Sequence, residues 1–258
     1  MLDTLPAQLA DIAPFVAIGF AAQIVDGALG MAFGVITQTL LVSVVGVAPA
    51  AASASVHVVE LFTTGTSGIS HIFHRNVDWK LFLRLVPAGI IGGVTGAYLL
   101  SNIDASVARP FVMAYLTGIG VYLLIKALRL NKPRFANPRY TAPLALAGGF
   151  LDAAGGGGWG PVVTSNLLVQ GGEPAKTIGT VNTSEFLLTA SISIAFITTL
   201  GLAAFTTATV GLIVGGVIAA PFGALMAKRM QPRVLLLAVS LVLIATSLFS
   251  LWKAWPIF

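Results

Sequence analysis

The chain has 258 residues, 57% of them hydrophobic and only 9% charged, with a mean hydropathy of +0.94 and a formal net charge of +5. Soluble domains carry roughly 25% charged residues, so this composition excludes a soluble globule and points to a polytopic membrane protein. Lys and Arg fall in or near short loops and segment ends, which is not a nucleic-acid signature, and the absence of Cys removes disulfides and thiolate chemistry.

Apolar runs predict ten helical segments, at about 12–29, 33–47, 50–73, 79–101 and 107–128, then 141–154, 160–171, 175–200, 203–228 and 233–254. The runs are continuously apolar, not alternating, which excludes a β-barrel. The N-terminus carries Asp3 and Asp11 but no basic n-region, so the first segment is expected to be retained. Segments 33–47 and 160–171 are short. Twelve helical residues cover ~18 Å against a hydrocarbon core of ~30 Å. Each either spans as a short helix or pairs with the preceding segment as a hairpin reaching mid-bilayer.

Between the first two segments lies Asp26–Gly34, "DGALGMAFG". In the third segment Ser53, His57, Glu60, Thr64, Ser67 and His71 recur at spacings of four and three, which places all six on one helical face. Such a stripe is untenable against lipid, so it is expected to face protein or water, although its Ser and Thr also serve as ordinary interhelical glue. His71, His74 and Arg75 suggest a cytoplasmic mouth, or equally a snorkelling interface cluster.

Basic residues cluster at Arg75–Lys80, in the linker Arg129–Tyr140 and at Lys228–Arg233, whereas Asn102–Asp104 and Gly201–Ala204 carry none. Placing the basic loops in the cytoplasm predicts both termini on the outer side. The linker, with two prolines that prevent helix continuation, divides a first repeat (1–128) from a second (141–258), with 129–140 as the basic cytoplasmic connection.

The second half opens on a pronounced irregularity. Asp152–Pro161, "DAAGGGGWGP", sets a carboxylate, four glycines, a tryptophan and a proline in otherwise lipid-compatible sequence. Glycine tolerates positive φ and Pro161 suits a helix start, so the stretch predicts a helix that stops inside the membrane and another that restarts. Close helix packing is the plainer alternative. Asp26–Gly34 echoes it 126 positions earlier: Asp26 aligns with Asp152, Phe33 with Trp159 and Gly34 with Gly160. Downstream, "SVHVVE" (55–60) answers "TVNTSE" (180–185), and Asn182, Glu185, Thr189 and Ser193 repeat the polar stripe. Each half has an odd number of segments, so the halves are expected to form inverted repeats, with a site where their broken helices meet.

The deep charged residues are all acids: Asp26, Glu60, Asp152 and Glu185. An ionised acid at mid-membrane costs about 2.5–3.5 kcal/mol, so four of them imply a cavity, partners or a proton path. Hydrogen bonding to a helix end or hydroxyl is the structural alternative. The glycine breaks would aim N–H groups into the same space. Pro161 is followed by Thr164, Ser165 and Asn166, and Thr37, Gln38 and Thr39 hold the corresponding place in the first half. The result is an anion cradle without a fixed deep cation, in which only His57 offers a positive charge near neutrality. Trp159 and Phe33 serve either as gates or as packing plugs.

At these residues the chain resembles the sulfite exporter TauE/SafE family of anion permeases. The resemblance rests on "DGALGMAFGV", on Ser70–Leu99 with its "NVDW" loop, on "GGFLDAAGGGGWGPVVTSNLL" (148–168) and on "GTVNTSEF" (179–186). It implies transport of sulfite, sulfonates or related anions across the cytoplasmic membrane, with Gly155–Gly158 and Pro161 near substrate. The first-half motif departs from the pattern, having Met31, Ala32 and Val35 in place of the glycine run and proline.

The expected function is a multi-pass, alternating-access secondary transporter of the inner membrane for a small sulfur-containing oxyanion. Substrate contacts are expected from Gly155, Gly156, Gly157, Gly158, Trp159, Ser165, Asn166, His57, Asn182 and Gln38. Proton coupling is expected from Glu60, Glu185, Asp26 and Asp152. The expected partners are the anion, protons, the lipid bilayer and, as a further option, a second copy of the chain as a homodimer; no nucleic acid, cofactor, metal or catalytic residue is expected. A cation or metal transporter using the same acids is the alternative. No nucleotide-binding motif is present, and an intramembrane enzyme lacks a nucleophile motif or two-His zinc spacing.

Overall fold

A computed structural model describes residues 5–29, 31–129, 138–202, 207–227 and 232–254. Among them every regular element is helical: α1 (Leu5–Leu29), α2 (Phe33–Leu40) with a π-helical turn (Leu41–Val45), α3 (Pro49–Phe73), α4 (Trp79–Ser101) and α5 (Ala105–Leu128). The second half has α6 (Thr141–Gly155), a π-helical turn (Trp159–Thr164), α7 (Ser165–Val169), α8 (Pro174–Leu200), α9 (Thr207–Ala227) and α10 (Pro232–Ala254). This is an all-α polytopic membrane fold. Most of the linker (130–137), Gly30 and residues 228–231 lie outside the described residues.

Local chemistry explains the helix starts. Asp78 caps α4, its Oδ1 accepting from Lys80 N at 2.9 Å and Leu81 N at 3.2 Å. Asp104 does the same for α5 through Ser106 N at 2.8 Å, and Pro174 occupies the first turn of α8. Among the described residues, Trp79–Ser101, Ala105–Leu128 and Lys176–Leu200 are long and apolar enough to cross a membrane, and Ile12–Asp26, Phe33–Val45, Ala208–Ala219 and Leu237–Trp252 form shorter apolar helices.

The short segments are arms of hairpins. At one end of the molecule Asp78 N donates to Thr180 Oγ1 (2.8 Å) and Arg139 N donates to Gln170 Oε1 (2.7 Å). At the other, Thr199 Oγ1 donates to Ser101 Oγ (3.0 Å) and Arg109 donates to Gly46 O (3.0 Å). The chain therefore enters along α6 from the Arg139 end, breaks at Gly156–Gly158 and returns along α7 to the same end. The α1–α2 hairpin opens on the opposite, Gly46 end.

The halves interlock and do not form separate bodies. α1 packs along α9 and α4 along α6; α3 packs on α8 and α5 on α10. Exchanging the halves interconverts the α1–α9 and α4–α6 pairs and leaves the α3–α8 and α5–α10 pairs as themselves. Both first pairings need backbone contact: a β-carbon on Gly19 would stand 2.5 Å from Leu212 O, and one on Gly96 would stand 2.5 Å from Phe150 O. Small residues at helix crossings are how membrane helices approach closely enough to pack without a hydrophobic driving force.

Candidate functional site

The second break is organised by one side chain. Gly156 (φ 75°) and Gly157 (φ 145°) sit in the left-handed region that glycine adopts without penalty. This turns their N–H groups onto Asp152 O, with Gly157 N at 2.9 Å. Gly158 N (2.6 Å) and Trp159 N (2.8 Å) donate to Asp152 Oδ1. Asp152 thus accepts from four successive backbone donors and holds the restarting helix in place. Its other oxygen lies 3.2 Å from His57 Nε2.

His57 is fixed in turn. Its Nδ1 stands 2.7 Å from Ser53 O, and Ser53 Oγ donates to Ala153 O at 2.7 Å. A carbonyl only accepts, so Nδ1 carries a hydrogen.

The first break repeats the device with different residues. Asp26 Oδ1 accepts from Phe33 N at 3.3 Å, matching the bond from Trp159 N to Asp152. Ala32, with φ 98°, makes the turn that glycines make in the second half. The Glu60 carboxylate lies against Gly34. The two tips touch: a β-carbon on Gly34 would lie 3.0 Å from Gly157 Cα and 3.0 Å from Glu60 Oε1.

Around this contact lies a cavity of about 20 Å³, lined by both breaks and by Asp26, Glu60, Asp152 and Glu185. That is room for one or two waters. All four deep acids, from four helices, therefore face one small space. Glu60 Oε2 is buried without a hydrogen-bond partner, and Glu185 forms no hydrogen bond among the described residues. Ligand atoms of His57, Glu60 and Asp152 lie within 4.8 Å of one another.

The remaining expected substrate contacts are distributed differently. Trp159 is fully buried, its Nε1 donating to Val181 O (3.3 Å) and its ring lying against Gly89, which is the arrangement of a packing plug. Asn182 Nδ2 donates to Ser67 Oγ (3.2 Å) at the α3–α8 contact, and Asn166 Nδ2 donates to Val162 O (2.7 Å) within its own turn. Gln38 lies against Gly156 and donates to Pro49 O at 3.1 Å. The donors of Gly156, Gly157 and Gly158 are taken by Asp152, and Gly155 packs on the Tyr115 ring. Ser165 lies apart from the acids, beside Met31, with Ser165 Oγ to Met31 Sδ at 3.6 Å.

Two residues were not anticipated. Tyr115 OH donates to Gly157 O at 2.9 Å, tying α5 to the second break. Lys126 Nζ donates to Ser165 Oγ at 2.7 Å, so the molecule does contain a fixed cation beside the second hairpin. Their spacing was the available signal: Tyr115, Tyr122 and Lys126, separated by seven and four, share one face of α5. Lys126 reads as a snorkelling terminal residue because it stands two positions before the helix ends.

A family model described as Sulfite exporter TauE/SafE matches residues 15–250. The probable membrane transporter protein YtnM of Bacillus subtilis (strain 168) is 41% identical over 249 residues, covering 93% of this chain and 83% of that protein. No solved structure matches the chain.

Proposed function

The chain belongs to the sulfite exporter TauE/SafE family and is a membrane transporter; on that premise we propose that it moves a small sulfur-containing oxyanion across the cytoplasmic membrane by proton-coupled alternating access. The observation that carries this reading is the gathering of Asp26, Glu60, Asp152 and Glu185 around the point where two broken helices touch. Four ionised acids in so small a space would repel one another and any anion nearby. Protonation relieves the repulsion and turns a carboxyl into a hydrogen-bond donor, so proton uptake and anion approach favour each other. The His57–Asp152 pair, held by Ser53 O and the N–H groups of Gly158 and Trp159, is the fixed member of the set. Glu185, without a hydrogen bond among the described residues, is the one freest to exchange. In this scheme the two hairpins enter from opposite faces as inverted repeats, and movement of the helix pairs around the meeting hairpin tips opens the central space to either side.

Sulfite flux into liposomes, measured with and without an imposed pH gradient, tests the reading. Wild-type flux should follow the gradient, and Glu60→Gln with Glu185→Gln should abolish that dependence. Unaltered, gradient-driven flux in the double variant would defeat the carboxylate assignment.

A divalent cation is the second reading, favoured by the His57, Glu60 and Asp152 ligand atoms lying within 4.8 Å of one another. Asp152 is already committed to two N–H groups and His57, which leaves Glu60 as the uncommitted ligand. Saturable Zn²⁺ or Mn²⁺ binding, lost in Glu60→Gln, would favour this reading over the anion.

A further inference from the structure

An acid-lined cavity is a poor seat for an anion. No Lys, Arg or His is among its described lining residues, and the nearby His57 is already bound to Asp152. A transported anion therefore needs a positive site elsewhere, close enough to the cavity for the two to communicate.

We infer that Lys126, Ser165 and Tyr122 form an oxyanion-binding site at the side of the second hairpin, separate from the acid-lined cavity. Lys126 is half-buried on α5, and its ammonium meets Ser165 Oγ at 2.7 Å and Met31 Sδ at 4.0 Å. Among the described residues it forms no ion pair. A half-buried ammonium held only by a hydroxyl and a thioether has three N–H donors and no anion, an arrangement that is normally completed by a partner or a ligand. Tyr122 stands one turn before Lys126 on the same face of α5. An ammonium and a hydroxyl thus meet, with Tyr122 on the same helix face, a donor set suited to the oxygens of a sulfite, sulfate or sulfonate group.

Met31 joins this site to the central one. Its sulfur contacts Ser165 and Lys126, while the residue itself lines the acid cavity next to the first break. A β-carbon on Gly160 would stand 2.8 Å from Met31 Cβ, so the contact leaves no slack. An anion drawn onto Lys126 and Ser165 would press on Met31 and through it on the break that positions Glu60. The structure divides the work: the acids handle the proton, and the lysine handles the anion.

This inference rests on the anion-transport reading, and one experiment separates the two. Sulfite binding is measured by titration calorimetry on protein purified in an uncharged detergent, for wild type, Lys126→Met, Lys126→Arg and Ser165→Ala. Lys126→Met should weaken binding at least tenfold, Ser165→Ala several-fold, and Lys126→Arg should retain most of it. Wild type that binds no sulfite defeats the parent reading, and this one with it. Wild type that binds sulfite as well as Lys126→Met and Ser165→Ala do overturns this inference alone. The inference is equally overturned if Lys126→Met spares sulfite binding but loses co-purifying anionic phospholipid, since the lysine would then grip a lipid headgroup. Should Lys126→Met fail to fold, Ser165→Ala and Lys126→Arg still decide the question.

Discussion

Gly34 and Gly157 touch backbone to backbone where the two hairpin tips meet, with Gly157 Cα 3.0 Å from the place a β-carbon on Gly34 would occupy. One residue comes from each half of the chain, and Glu60 Oε1 stands beside the contact.

Gly157→Ala is therefore expected to be severe. Its φ of 145° strains any side chain, and the added carbon would collide with Val35 N and lie 2.7 Å from Gly34 C. A loss of about 2–4 kcal/mol and near-complete loss of flux follow. Gly118→Ala, at a position with open space around it, is the control and should leave melting and flux unchanged.

The two aspartates differ in how much they hold together. Asp152→Ala strands two buried N–H groups and the His57 ring, whereas Asp26→Ala strands one N–H. At about 1–3 kcal/mol for each unsatisfied buried group, Asp152→Ala should cost roughly three times as much as Asp26→Ala. Thermal melting of both variants in detergent checks the order, and equal melting temperatures would contradict it.

Glu185→Gln separates fold from function. The residue forms no hydrogen bond among the described residues, so melting should move by less than about 0.5 kcal/mol. Sulfite flux should nevertheless stop responding to a pH gradient. A large melting shift would mean that Glu185 braces the structure and does not exchange protons.

Much of this arrangement was legible in the sequence. The 126-residue echo that aligned Asp26 with Asp152 and Phe33 with Trp159 is realised as the same bond in both halves, aspartate oxygen to the N–H of the aromatic residue. Apolar periodicity placed the helices because lipid forces each run to satisfy its own backbone. The polar stripe of α3 does face protein: Ser53 and His57 meet α6, and Ser67 meets α8. What stayed hidden depends on tertiary packing. That Asp152 occupies the glycine N–H groups itself requires the chain to fold back over six residues. That Lys126 reaches inward to Ser165 depends on where α7 returns, which no local pattern encodes.

Ala32 shows the limit from the other side. The first break lacks a glycine run, yet the chain turns there through Ala32 at φ 98°, in a buried position. Ala32→Gly relieves strain of about 1 kcal/mol, less some unfolded-state entropy, and should melt at the same temperature or slightly above wild type. Ala32→Val puts a β-branched residue in the left-handed region and should cost about 2 kcal/mol or more.

The central claim is that the two hairpins enter from opposite faces and meet in the middle. The chain has no Cys, so single-cysteine variants report without background. Ala48 and Glu173 are exposed at the open ends of the first and second hairpins. Labelling Ala48→Cys and Glu173→Cys with a membrane-impermeant maleimide, in intact cells and then in inside-out vesicles, should modify Ala48→Cys only from outside and Glu173→Cys only from the cytoplasmic side. Modification of both from the same face would contradict the account.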